Sequence, residues 1–226
     1  MQTVLSNFTI MNRLLIFLLI IFYLSCSKSK KEKAFDEFNA GVSISLDAQN
    51  EMANGNYELA EKLNKDAISK FENALKIDSE YKGVPSALGH SYYLAKDYQK
   101  GIEWYEKAIN IDSTMAINHL EYGLCKVNKG DIISGRKAIN YAIQLNKSSE
   151  IKQQAVYSLF DIGVLAFNYG EQFQAEGENE KGKEFKKFGI NVLYAAQDID
   201  STNLEVNKHI TDFTNKMRSG NSNSDN

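Results

Sequence analysis

The chain has 226 residues, 43% of them apolar and 24% charged, with a net charge of −3. That length buries a substantial core as one domain, or as one domain behind a targeting segment. A single proline and fourteen glycines favour long helices over turn-dense β structure. The charge excludes a general nucleic-acid binder, and the two cysteines, Cys26 and Cys125, form neither a disulfide framework nor a zinc spacing.

The first element is a targeting segment, MNRLLIFLLIIFYLSCSKSKKEK, at 11–33. Arg13 supplies a positive n-region and Leu14 to Leu24 an unbroken apolar run. As a helix that run spans about 16 Å against a hydrocarbon core of about 30 Å, which fits a secretory h-region better than a membrane span. Small Ser25 directly before Cys26 resembles a bacterial lipoprotein signal, with Tyr23 departing from the usual aliphatic residue. The resemblance implies cleavage before Cys26 and acylation of that cysteine, with Met11 as the start. An uncleaved hydrophobic anchor, or a signal cut elsewhere, is the alternative. Ser27 stands where an aspartate would resemble an inner-membrane retention signal, which points to the outer membrane. Residues 27–33 are then expected to be a polar linker, and the domain beyond them keeps 21 basic and 28 acidic residues.

A repeat of 34 residues follows. Ala74, Ala108 and Ala142 are in step, as are Ile77, Ile111 and Leu145, and Phe71, Tyr105 and Ile139. Asp78, Asp112 and Asn146 share the register, and so do Ala67, Gly101 and Gly135. Each unit reads helix, short turn, helix: Leu88, Tyr92 and Ala95 recur at helical spacing before Asp97, and Ile102, Tyr105, Ala108 and Ile109 after it. Small residues at Gly89, Gly101 and Ala108 let the two helices approach closely.

Leu88-Gly89-x-x-Tyr92, then Tyr98, Gly101, Tyr105 and Ala108, resemble the tetratricopeptide repeat. Pro85 stands in place of the family's early tryptophan, and Ser79, Ser113 and Lys147 in place of its late proline. The resemblance implies an all-α fold, with antiparallel helix-turn-helix repeats stacked into a right-handed α-solenoid. Four units are expected, at 34–79, 80–113, 114–147 and 148–201. In the first, Gly55-Asn56-Tyr57 lies 41 residues before the next turn, so its second helix gains seven residues. In the last, two lengthened helices are expected at about 149–176 and 180–199, turning at EGENEKG. Thr202-Asn203-Leu204-Glu205 reads as a capping box, opening a terminal capping helix over 202–217 with Val206, Ile210, Phe213 and Met217 on one stripe. The tail, 218–226, lacks apolar residues and is expected to be disordered.

No chemistry announces itself. His90, His119 and His209 share no metal spacing with cysteines or carboxylates, and Cys125 reads as a buried thiol, so no metal, cofactor or catalytic group is expected. Trp104 reads as a packing or surface aromatic. In tetratricopeptide proteins the first helices line a concave face that binds a partner segment. Carried over, those places are Ser86, His90, Tyr93 and Leu94, then Leu120, Leu124, Val127 and Asn128, then Phe160, Val164, Phe167 and Asn168. The family's Lys/Asn clamp for a peptide carboxylate is missing. Such an apolar groove suits a hydrophobic peptide of another protein, unless the chain's own long terminal helices cover it. The reading is thus a non-enzymatic, lipid-anchored periplasmic scaffold for a protein partner. The alternative is an accessory lipoprotein that holds a glycan or small molecule between aromatic side chains.

Overall fold

A computed structural model describes residues 28–222. The targeting segment 1–26, with Cys26, and the tail beyond 222 lie outside the described residues. The chain forms α1 (Lys30–Ala53), α2 (Tyr57–Ile77), α3 (Val84–Leu94), α4 (Tyr98–Ile111), α5 (Ala116–Asn128), α6 (Ile132–Leu145), α7 (Ser149–Ala175), α8 (Asn179–Ile199) and α9 (Leu204–Ser222). No strand occurs among the described residues. Helices α1/α2, α3/α4, α5/α6 and α7/α8 pack as antiparallel hairpins, each hairpin stacks on the next, and α9 lies on α8 and α7. This is a tetratricopeptide-like α-solenoid with lengthened first and last units and a capping helix.

One contact recurs in every hairpin. A glycine of the first helix receives a large side chain of the second: Gly41 faces Phe71, Gly89 faces Tyr105, Gly123 faces Ile139, and Gly163 faces Leu193. All four large residues are buried. A Cβ added to Gly89 would lie 2.8 Å from the Tyr105 ring, closer than carbon atoms approach. In the last hairpin the backbones themselves touch, because a Cβ on Gly189 would stand 2.5 Å from the Gly163 carbonyl oxygen.

The end of each hairpin is also repeated. Asp78, Asp112, Asn146 and Asp200 are extended, and their N–H groups donate to Ala74, Ala108, Ala142 and Ala196. Each side-chain Oδ1 accepts the N–H two residues on, from Glu80, Thr114, Ser148 and Thr202. The 34-residue recurrence of Asp/Asn therefore marks a turn that the side chain closes itself.

The long hairpins lengthen in both helices. Gly41 stands 15 residues before the turn residue Asn56, and Phe71 stands 15 after it, whereas Gly89 and Tyr105 stand 8 either side of Asp97. Gly163 and Leu193 likewise stand 15 either side of Glu178. Seven residues are nearly two turns, so each insertion preserves the buried face and carries the hairpin tip about 10 Å past its neighbours. The first unit thus gains in its first helix as well as in the second, where the gain was expected.

Three boundaries also differ from the sequence reading. The polar linker expected over 27–33 is mostly helix: Ser29 caps α1 and forms a capping box with Glu32. At the start of α9 it is Asn203, not Thr202, whose Oδ1 accepts from the Glu205 and Val206 N–H groups. The Thr202 hydroxyl is instead turned back towards Asp200, to which it donates at 2.8 Å. The tail expected to be disordered from 218 continues as helix to Ser222. Once Val206, Ile210 and Phe213 are buried, each further residue extends an existing hydrogen-bond ladder.

Gly189→Ala is expected to lower stability by about 2 kcal/mol, near 6 °C in Tm, because the new methyl meets backbone rather than a movable side chain. Thermal melts check this, and an unchanged Tm would contradict the close approach.

Candidate functional site

The site lies where the last hairpin faces the turn ends of the short hairpins. Between the α7/α8 hairpin and the turn ends of the short hairpins, a cleft of about 410 Å³ opens beside the α3–α4 turn. Tyr93, Lys96, Tyr98 and Asn128 form one wall. Asp161, Leu165 and Tyr169, one turn apart along α7, form the other, with Phe185 and Phe188 of α8 behind. Leu165 is 56% exposed and Tyr169 48%, and the Tyr93 and Tyr98 rings meet at 5.9 Å, tilted. A second hollow, of about 370 Å³, lies under the overhang of the first hairpin and is lined by Met52, Tyr57, Asn64 and Leu94. Lys96 borders both. It sits in the left-handed region, at φ 60°, in the place where Gly55, Gly130 and Gly177 stand in the other turns.

The sequence-predicted concave face is for the most part closed. Leu120, Leu124 and Val127 are buried in one core with Ala155, Val156 and Leu159, because α7 packs directly on α5. They are core residues, not groove residues. Phe160, Val164 and Phe167 pack into the same core, and α9 covers them. Phe167 stacks on Phe213 at 3.7 Å, and His209 meets Phe160 edge-on at 4.9 Å. Asn168 is exposed but does not border the cleft. Ser86 donates to Asn118 at 2.6 Å. Of the expected set, Tyr93 and Asn128 line the cleft and Leu94 lines the second hollow. Tyr98, Asp161, Leu165, Tyr169, Phe185 and Phe188 were not anticipated. The available signal was the second stripe on α7, Asp161-Leu165-Tyr169 at spacings of four, beside the Phe160-Val164-Phe167 stripe.

His90 is engaged in a buried polar cluster rather than aimed at a ligand. The buried Glu121 carboxylate accepts from the Tyr105 hydroxyl and lies 3.0 and 3.1 Å from His90 Nδ1. A carboxylate only accepts, so Nδ1 carries the proton. Burial pushes the His90 pKa down, but the hydrogen bond and charge of Glu121 outweigh it and the net shift is upward. Burial first, and then Glu121, push the Cys125 thiol up to about 12. That thiol is therefore protonated and unreactive at neutral pH. In the cleft, burial raises the Tyr93 hydroxyl, and burial with the nearby Glu205 charge raises Asp161.

No family model and no curated protein matches the chain. Among solved structures it is similar to MamA, at 18% identity over 77% of this chain and 96% of that one, with a TM-score of 0.38. It is similar to YrrB, described as a TPR protein with an unusual peptide-binding site, at 17% identity over 72% and 88%, with a TM-score of 0.38. A TPR repeats protein of Bacteroides fragilis gives 11% identity over 78% and 98%, with a TM-score of 0.34. Likeness at this level carries no argument about function.

Because the folded His90 pKa is raised, its stabilisation is complete below the unfolded value of about 6.5 and is lost as pH rises through the folded value. Urea melts of wild type and His90→Gln are therefore expected to diverge at about pH 6 and to converge as pH rises through the folded value. Glu121→Ala, which strands the Tyr105 and His90 donors, is expected to cost about 2–3 kcal/mol at neutral pH. A pH-independent difference for His90→Gln would contradict the assignment.

Proposed function

We propose that the chain is a non-enzymatic scaffold, anchored by an acylated Cys26 on the periplasmic side of the outer membrane, that binds an apolar segment of another protein. The observation that carries the reading is the aromatic and aliphatic cleft between the α7/α8 hairpin and the α3–α4 turn. Its residues Leu165 and Tyr169 are large, apolar and exposed on a rigid helix, which marks an interaction surface. Binding there differs from a conventional concave-face mode, whose positions are consumed by packing.

The cleft's chemistry favours a peptide. Ile162, Leu165, Phe185 and Phe188 supply apolar contact, while Asn128, Lys96 and Asp161 supply polar groups at its border for backbone or side-chain hydrogen bonds. A glycan held between Tyr93, Tyr98 and Tyr169 is the second reading, and the three tyrosines are what favours it. A scaffold without catalysis is supported by Cys125, which is buried and protonated, and by His90, which is committed to Glu121. Anchoring is supported by the short apolar run before Cys26. Among the described residues no helix is long and apolar enough to cross a membrane.

One set of strains tests this. Cross-linking and pull-down from membranes compares wild type, Leu165→Glu/Tyr169→Ala and Cys26→Ala, each labelled with palmitate. Both substitutions at 165 and 169 replace exposed side chains, so the melting temperature is expected to hold. Loss of one specific protein, with palmitate retained, is the expected result for the cleft variant. Cys26→Ala is expected to lose palmitate and leave the membrane fraction. An unchanged interactome, with a glycan raising Tm, would replace the protein partner by the second reading.

A further inference from the structure

The first turn of α1 holds cations that its own fold does not use. Lys30, Lys31 and Lys33 take the first, second and fourth helical positions after the Ser29 cap. A helix N-terminus is the positive end of the macrodipole, where lysines are disfavoured and acids favoured. Glu32 alone answers that field, and its carboxylate is held in the capping box by the Ser29 N–H at 2.7 Å. The other carboxylates nearby are engaged: Asp36 pairs with Lys28 at 2.5 Å, and Glu37 with Lys70 at 3.1 Å. Lys30, Lys31 and Lys33 are exposed, and none has a salt-bridge partner among the described residues. Phe35, one turn beyond Lys31 on the same face, is 52% exposed.

Position supplies the occupant. Ser29 is three residues after Cys26, a reach of at most roughly 10 Å when fully extended. An acyl chain on Cys26 would hold these lysines within about one Debye length of the headgroups, where charge attraction is not screened out. The remainder of the domain, with 21 basic and 28 acidic residues, is net acidic and repelled overall by an anionic surface, whereas this end is drawn to it.

We propose that the first two turns of α1 dock on anionic phospholipid headgroups, with Lys30, Lys31 and Lys33 against phosphates and Phe35 at the interface. The proposal rests on the acylation of Cys26 proposed above. Docking gives the solenoid a set attitude on the bilayer, where a flexible linker over 27–33 would have let it swing.

The test uses the full acylated protein in vesicles of phosphatidylglycerol with phosphatidylethanolamine, and in vesicles of phosphatidylcholine alone. Hydrogen exchange of the 29–37 amides is expected to be about tenfold slower on the anionic vesicles. High salt, or the combined change Lys30→Gln, Lys31→Gln and Lys33→Gln, is expected to abolish the difference. That variant removes cations from the positive end of a helix and is expected to melt no lower than wild type. Equal exchange on both vesicle types, with flotation intact, overturns the docking; an acidic protein as the true partner of these lysines would give that same result. Failure of the wild type to float with phosphatidylcholine vesicles reports the absence of the acyl chain, and overturns the anchoring and the docking together.

Discussion

The solenoid depends on one contact made four times, a first-helix glycine filled by a second-helix Phe, Tyr, Ile or Leu. Without a Cβ at Gly41, Gly89, Gly123 or Gly163 the two helices of each hairpin come close enough for the large residue to bury completely. The same spacing in every hairpin gives stacking surfaces of equal thickness. Units can then lengthen by seven residues per helix and still stack, since the buried stripe returns almost to the same face. The uneven tips are a consequence.

The same packing removes the surface on which a helical-repeat protein would conventionally hold its partner. Helix α7 takes the inner positions of α5 into the core, and α9 does the same for α7. The turn edge, where α7 and α8 face the short hairpins, stays open. Lys96, the one turn residue among the described residues with a positive φ that is not glycine, borders the hollows on both sides of that edge. A left-handed lysine is disfavoured by roughly 1 kcal/mol relative to glycine, so its charge and length at this point are retained against a local cost.

Features set by neighbours in the chain were legible from sequence. The Ala74/Ala108/Ala142 register, the Asp/Asn turns and the long α8 all follow from local hydrogen bonding and spacing. Features set by distant helices were not. Leu124 and Val127 carry the same pattern whether they face solvent or α7, and only the position of α7 decides between them. Gly41 reads as an ordinary mid-helix glycine until Phe71 is seen to fill it. Thr202 and Asn203 are both good caps, and it is Asn203 that caps α9 while the Thr202 hydroxyl turns back towards Asp200. Lys30 to Lys33 read as a polar linker because their charge outweighed the Ser29–Glu32 capping box in the same stretch.

The most direct measurement replaces single residues by a photo-cross-linking amino acid in cells that make the protein. Leu165, on the cleft, is compared with Ile133, which is 85% exposed on the outer face of α6, and with Asn168, exposed on α7 but away from the cleft. Ultraviolet light is expected to give one discrete protein adduct from position 165 and none from 133 or 168. An adduct from 133 or 168 with none from 165 would place the partner elsewhere and contradict a docking cleft between α7/α8 and the α3–α4 turn.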